Sequence, residues 1–139
     1  MTLESPQHIE SNDPDTPIRL LAAYRHIEFP TSNERTPAWE QALILAQHNL
    51  KVTIRFAGAQ AEVLDPESEK YDTVMCASRE AVEALLTVKA ALDAPTPSDF
   101  HIQLEKLKRQ YASIVGHIRH MMIIDSHDRP LFGFVEEYM

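Results

Sequence analysis

Glycine and cysteine are scarce in this chain of 139 residues, which contains three glycines and one cysteine. The scattered Gly58, Gly116 and Gly133 cannot supply the clustered-glycine loop that cradles phosphates in nucleotide-binding proteins. The single Cys76 cannot form an internal disulfide, which favours a reducing compartment. A chain of this length can bury a core without disulfides, so we expect a cytoplasmic globular protein.

Long apolar runs and an excess of basic residues are also absent. No apolar stretch approaches the ~20 residues that span a bilayer. The N-terminal residues have neither the basic nor the apolar region of a signal peptide. The formal net charge is −8, and phosphate backbones repel such a chain. We therefore expect neither a membrane nor a nucleic acid as partner.

The acidic residues are concentrated in the first two-thirds of the chain. Acids outnumber bases by seven to three in residues 1–40 and by eight to five in residues 41–98, whereas residues 99–139 are nearly balanced. Such an excess is typical of a solvated surface, and it also suits docking on a basic protein. An acidic loop and its flanks supply the predicted partner-binding set, which is Glu62, Asp65, Glu67, Glu69 and Asp72.

Alternating apolar and polar residues predict several short strands. Residues 1–17 are rich in proline and resemble a flexible arm, and residues 18–139 are expected to form a single α+β domain. Residues 18–29 favour a strand, with a short helix as the alternative. A hairpin is predicted at residues 123–135. The other predicted strands are Val52–Phe56, Ala61–Val63 and Tyr71–Cys76.

Three helices are predicted beside these strands. Thr36 and Pro37 begin the first helix, which should end near Asn49. Ser78 caps the second, whose register follows Val82, Leu85, Leu86, Lys89 and Leu92. Ser98 caps the longest, near residues 98–122, where apolar residues repeat at three and four residues over about three heptads. That pattern predicts either a core helix or a homodimer contact through the long helix.

The predicted fold is a small, mainly antiparallel sheet that two or three helices cover on one face. Its core should combine residues from the sheet and the helices. The expected core residues are Trp39, Leu43, Val52, Ile54, Phe56, Val74, Leu85, Leu104, Tyr111, Ile114, Ile118 and Phe132.

Residues 116–128 hold the densest group of side chains able to bind a metal or move protons. His117 and His120 are three residues apart on the long helix, and Asp125 and His127 follow. Zinc takes three or four such ligands. On a helical wheel, however, His117 borders the apolar side and His120 faces outward, and the H-E-x-x-H pattern is absent. We expect no cofactor, with zinc or another divalent metal at these four residues as the alternative.

No catalytic signature occurs in the sequence, which favours a non-enzymatic function. Small size, an acidic surface and few glycines fit a protein-binding module that regulates or inhibits another protein. By analogy of composition, this is the type of immunity proteins, anti-activators and phage-encoded inhibitors. The expected partner is a protein with a basic surface. The alternative is a metal-binding protein or metal-dependent enzyme that uses the histidine cluster.

Overall fold

The computed structural model describes residues 15–32 and 34–128, with side chains up to residue 125. Four helices follow one another: α1 (Thr16–Arg25), α2 (Pro37–Val63), α3 (Glu69–Leu92) and α4 (Pro97–Asp128). Short connections make α2, α3 and α4 antiparallel neighbours. Helix α3 packs along both α2 and α4, and α1 packs on α4 and α2, as in a four-helix bundle. The α+β prediction is wrong, because the described residues contain no strand.

A hydroxyl side chain begins each of the three long helices. Thr36 caps α2, as predicted, by accepting a hydrogen bond from the backbone amide three residues later. Ser68 and Thr96 cap α3 and α4 with the same bond. The predicted caps Ser78 and Ser98 instead lie inside these helices. Serine is common at both kinds of position, so only the hydrogen bond identifies the cap.

Buried residues spaced three and four apart line the inner side of α4, as the sequence predicts. The periodicity continues from the first turn of the helix to Met121. The buried positions are Phe100, Leu104, Leu107, Tyr111, Ile114, Ile118 and Met121. Because this side is covered by the chain's own helices, any homodimer contact through α4 would have to use its outer side.

The inner side of α3 has the same spacing but consists mainly of small residues. Each of its six positions is at most 1% exposed: Val74, Ala77, Ala81, Ala84, Val88 and Ala91. Helix α2 contributes a matching row, which is Trp39, Leu43, Ala46, Leu50, Thr53, Ala57 and Gln60. A period of 3.5 residues on three neighbouring helices is the pattern of a left-handed bundle.

The predicted strands are wrong, because they lie largely or wholly in helices. Residues 18–25 of the first belong to α1, residues 52–56 and 61–63 belong to α2, and residues 71–76 belong to α3. Thr53 shows why alternation gave a wrong prediction. A strand at residues 52–56 with Val52, Ile54 and Phe56 in the core would place Thr53 on the solvent side, yet Thr53 is 1% exposed. Five alternating residues fit either period, and strand propensity is weak against packing between helices.

The predicted core is only partly correct. Val52, Ile54 and Leu85 are half-buried, and Phe132 lies outside the described residues. The other eight positions are buried: Trp39, Leu43, Phe56, Val74, Leu104, Tyr111, Ile114 and Ile118. Of the predicted hairpin, residues 123–128 continue α4 and the rest lies outside the described residues. Of the predicted arm, residues 1–14 lie outside them, and residues 16 and 17 are buried in α1.

Gly58 lies within α2, between the two segments of that helix that were predicted as strands. A Cβ atom built at this position meets nothing within 4 Å. We therefore expect Gly58→Ala to raise the free energy of unfolding by about 0.5–1 kcal/mol, because alanine loses less backbone entropy in a helix. Urea titration followed by circular dichroism measures the change, and Ala59→Gly should shift it in the opposite direction. A loss of stability in Gly58→Ala would contradict a continuous α2.

Helix α1 and the residues after it cover the groove between α2 and α4. The rings of Tyr24 and Tyr111 lie 4.7 Å apart between centroids, and Phe29 meets Tyr111 edge-on at 5.3 Å. The Thr53 hydroxyl donates to the Asn49 carbonyl at 2.9 Å, so the Tyr24 hydroxyl, also at 2.9 Å, donates to Thr53 Oγ1. These contacts join α1 to α2 and α4, and they give the buried Tyr24 hydroxyl a hydrogen-bond partner.

Burial raises the pKa of Tyr24 and of Tyr111 above the ordinary value of 10. The unfolded chain loses both phenol protons near pH ~10, while the folded chain retains them. The resulting stability is therefore complete below pH ~10 and is lost as the pH rises further. We expect urea titrations between neutral and alkaline pH to show a smaller alkaline loss in the Tyr24→Phe/Tyr111→Phe double variant. An identical loss in both proteins would contradict this assignment.

Candidate functional site

The first half of α3 and the second half of α4 bring three of the predicted metal ligands next to charged residues of α3, of which only Glu69 belongs to the predicted partner-binding set. Side chains from the acidic region on α3 pair with the histidines and the aspartate of α4. We refer to these six residues as the charged row. Its nitrogen-to-oxygen contacts are Glu69–His120 at 2.7 Å, Lys70–Asp125 at 2.5 Å and Glu80–His117 at 3.7 Å.

The two histidines of the charged row differ in their surroundings. The His120 side chain is 43% exposed and hydrogen-bonds a Glu69 carboxylate that is 68% exposed. The His117 side chain is 27% exposed. Its Nε2 atom is buried without a hydrogen-bond partner among the described residues. His120 thus makes an exposed, well-formed pair, which contributes little to stability, whereas His117 makes a looser and more buried contact.

The four predicted metal ligands are not gathered at one point in the part of the chain that the structure describes. Asp125 is 8% exposed and pairs with Lys70, while each histidine faces a different carboxylate of α3. The described ranges contain no group of three His, Cys, Asp or Glu side chains placed to hold a metal ion. The side chain of His127 lies outside them. The metal set therefore stays a prediction, which zinc titration of untagged protein by calorimetry can test.

Lys70 and Asp125 form the most buried ion pair of the charged row, with side chains 20% and 11% exposed. We expect Lys70→Met to lower the free energy of unfolding by about 1–2 kcal/mol, because it leaves a largely buried carboxylate without its partner. Glu69→Gln, at the residue before Lys70, is the matched control. It weakens the exposed pair with His120 and should cost at most ~0.5 kcal/mol. Urea titrations at neutral pH measure both variants. Equal losses of unfolding free energy in Lys70→Met and Glu69→Gln would contradict the larger contribution assigned to the buried pair.

The five predicted partner-binding acids lie in the last turn of α2, the α2–α3 connection and the first turn of α3, and all are exposed: Glu62, Asp65, Glu67, Glu69 and Asp72. We refer to Glu62, Asp65, Glu67 and Glu69 as the acidic turn. The Glu67 amide donates to Asp65 Oδ1 at 3.0 Å, and the Ser68 hydroxyl donates to the Asp65 carbonyl at 2.7 Å. These bonds order the backbone of the connection and fix one oxygen of the Asp65 carboxylate.

Val63 lies within the acidic turn, and the sequence analysis did not identify it as a surface residue. It is the last residue of α2 and is 65% exposed. Leu64 beside it is half-buried and packs against the core. Val63 is flanked in sequence by Glu62 and Asp65, and interfaces usually place apolar contacts at the centre and charged residues at the rim. The acidic turn therefore offers both a charged surface and an apolar anchor.

Lys70 and Glu80 were also missed as members of the charged row. Lys70 was overlooked because the start of α3 was predicted as a loop followed by a strand. Glu80 lay in the predicted helix after Ser78, but its partner on α4 was not predicted. A usable signal was present in the alanines at positions 77, 81 and 84, whose spacing of four and three residues is helical. Extending that helix back to Ser68 would have placed Lys70 on α3 as well, although not opposite its partner on α4.

A groove of about 330 Å³ lies between α3 and α4, near the other end of α3. Its lining residues are Glu83, Leu86, Thr87, Ala90, Gln103, Lys106 and Gln110. The Gln110 Oε1 atom is buried there without a hydrogen-bond partner among the described residues. The Thr87 hydroxyl in this lining donates to the Glu83 carbonyl at 3.1 Å.

Comparisons with protein-family models, with curated proteins and with solved structures give no match for this chain. Within the described ranges, no helix combines the length and the apolar character needed to cross a bilayer.

Proposed function

We propose that this chain is a protein-binding module that regulates or inhibits another protein, and that the acidic turn contacts a basic surface on that partner. The observation that carries the proposal is the position of Val63, 65% exposed within a group of exposed carboxylates. Interfaces of this kind obtain most of their affinity from a central apolar contact, while the charged rim selects the partner.

The charges around Val63 favour a basic partner over an acidic one. The side chains of Glu62 and Glu67 form no ion pair with any described residue, and Asp65 uses one oxygen to order the turn. The net charge of −8 extends the attraction beyond the contact itself. Such a field increases the rate of association with a basic surface and weakens as salt screens it. We place this function in the cytoplasm, which the unpaired Cys76 supports.

A capture experiment with matched variants tests the proposal. The immobilised full chain is incubated with extract from its own cells at about 0.05 M and about 0.5 M salt, conditions that change the Debye length about threefold. Bound proteins are quantified by mass spectrometry. The test variant is Glu62→Gln/Val63→Ser/Glu67→Gln. The control is Glu28→Gln/Glu34→Gln, which removes the same charge from exposed positions between α1 and α2.

We expect the wild type and the control to recover the same basic protein at low salt and to lose it at high salt. The test variant should recover at least about tenfold less, because it loses both the apolar anchor and part of the rim. Equal recovery by the test variant would show that the acidic turn is not the binding surface. Failure of the wild type to recover any protein at low salt would overturn the proposed function.

A further inference from the structure

The outer side of α3 carries a second row of residues spaced three and four apart. It begins two residues before the buried row, which places it about 200° around the helix and therefore on the opposite side. We refer to this row as the outer stripe. All six of its residues are exposed: Asp72, Met75, Arg79, Val82, Leu86 and Lys89.

The large apolar residues of α3 are divided unusually between its two sides. The buried row is built mainly from alanine, whereas Met75, Val82 and Leu86 on the outer stripe are 37%, 43% and 62% exposed. A helix on the surface of a monomer usually presents polar residues to water. Apolar residues at heptad spacing are typical of a helix that packs against another helix.

The charged residues of the outer stripe are arranged so that it complements itself. Asp72 lies near the start of α3, and Lys89 lies in its last turn. Neither forms an ion pair with any described residue. When a second copy of α3 lies antiparallel to the first, one register places Met75 opposite Leu86 of the partner subunit. The same register places Asp72 opposite Lys89 of the partner subunit. Each end of the contact then joins opposite charges.

A parallel arrangement would place identical residues opposite each other. Asp72 would face Asp72 of the partner subunit, and the two lysines would likewise repel each other at the far end. The antiparallel register places Met75 opposite Leu86 of the partner subunit and joins opposite charges at both ends. At its centre it places Arg79 opposite Val82 of the partner subunit, where the aliphatic part of the arginine side chain can pack on the valine. The arrangement repeats through a two-fold axis. The order of charges therefore selects both the direction and the register.

We propose that two copies of this chain associate through the outer stripe, with their α3 helices antiparallel. The stripe from residue 72 to residue 89 is ~26 Å long, so one helix pair gives an interface at the small end of the normal range. We therefore expect a dissociation constant on the order of 10 µM. The antiparallel contact carries the two acidic turns to opposite ends of the dimer, where each remains accessible.

Sedimentation velocity on the full chain, from ~1 to ~300 µM, tests the apolar part of the contact. Leu86→Glu should raise the dissociation constant at least about tenfold, because it places a charge opposite Met75 of the partner subunit. Ile44→Glu is the control, since Ile44 is 59% exposed on α2 and Leu86 is 62% exposed on α3. It should leave the constant within about twofold, and circular dichroism checks that both variants fold.

Charge exchange tests the direction. Asp72→Lys and Lys89→Asp should each raise the dissociation constant about tenfold, because each alone places like charges together at both ends of the dimer. An equimolar mixture of the two variants should dimerise as well as the wild type, since the mixed pair joins opposite charges at both ends. A wild type that stays monomeric to ~300 µM, single variants that dimerise normally, or a mixture that does not recover would each overturn the proposal.

Discussion

Trp39→Ala is expected to lower the free energy of unfolding by about 3–5 kcal/mol, the largest effect of any single change proposed for this chain. Trp39 is fully buried at the start of α2. Its ring stacks on Phe29 at 5.5 Å and meets Phe100 edge-on at 6.2 Å, between centroids. Its indole N–H donates to the Ser32 carbonyl. Removing the side chain leaves a cavity where α2, α4 and the segment before α2 meet.

Trp39→Phe separates packing from hydrogen bonding in the same position. It keeps most of the apolar contact with Phe29 and Phe100 but leaves the Ser32 carbonyl without its donor, so we expect a loss of about 1–2 kcal/mol. Urea titration followed by circular dichroism at 222 nm suits both variants, because each removes the single tryptophan of the chain. A loss below ~1 kcal/mol in Trp39→Ala would show that Phe29 and Ser32 do not cover this end of the bundle.

Ala84→Leu is expected to lower the free energy of unfolding by about 2–3 kcal/mol, the second-largest effect. Ala84 is fully buried on the inner side of α3, between α2 and α4. A leucine there adds three carbon atoms where two neighbouring helices already touch the backbone of α3. The helices must separate or the side chain must adopt a strained rotamer. Chemical denaturation measures the change directly.

Leu86→Ala is the matched control on the same helix. Leu86 lies two residues further on, and 62% of it is exposed. At a protein concentration of ~1 µM, below the proposed dimerisation range, its truncation should change the free energy of unfolding by less than ~0.5 kcal/mol. The sequence-based register placed Leu86 on the packed side of its helix, and it therefore predicts the opposite ranking. A larger loss in Leu86→Ala than in Ala84→Leu would show that α3 is rotated from the orientation described here.

Long apolar periodicity was sufficient to predict α4. Its large residues recur over seven positions, and no other regular structure satisfies a pattern of that length. The cap at Thr36 was also predictable, because threonine followed by proline combines two independent helix-start signals. Short patterns failed. In α2, the five alternating residues from Val52 fitted a strand as well as a helix, and only contact with α1 and the other long helices shows that Thr53 faces inward.

The inner side of α3 was not predictable from hydrophobicity alone. Its alanines have little apolar surface, whereas Val82 and Leu86 have more, so a search for large apolar residues selects the outer side. The choice between the two sides depends on how closely α2 and α4 approach. That distance is a property of the assembled bundle and is not encoded in any one segment.

The residues of the charged row and the acidic turn were partly identified from their chemistry. Composition indicated the histidines and the exposed acids, and the helical wheel separated His117 from His120. The wheel could not show that Glu69, Lys70 and Glu80 lie opposite them, since those contacts join positions 37 to 55 residues apart. Val63 was missed because residues 61–63 were assigned to a strand.

The sequence by itself determined the acidic charge, the long helix α4 and the histidines and acids that could bind a metal or a partner. These features depend on composition or on patterns longer than any competing period. Only the tertiary structure decided that the chain is all-helical over its described residues, which side of α3 is buried and which charges meet. Packing decides these features, because the free energy gained when three helices exclude water from a shared interior exceeds the small local preferences of their residues.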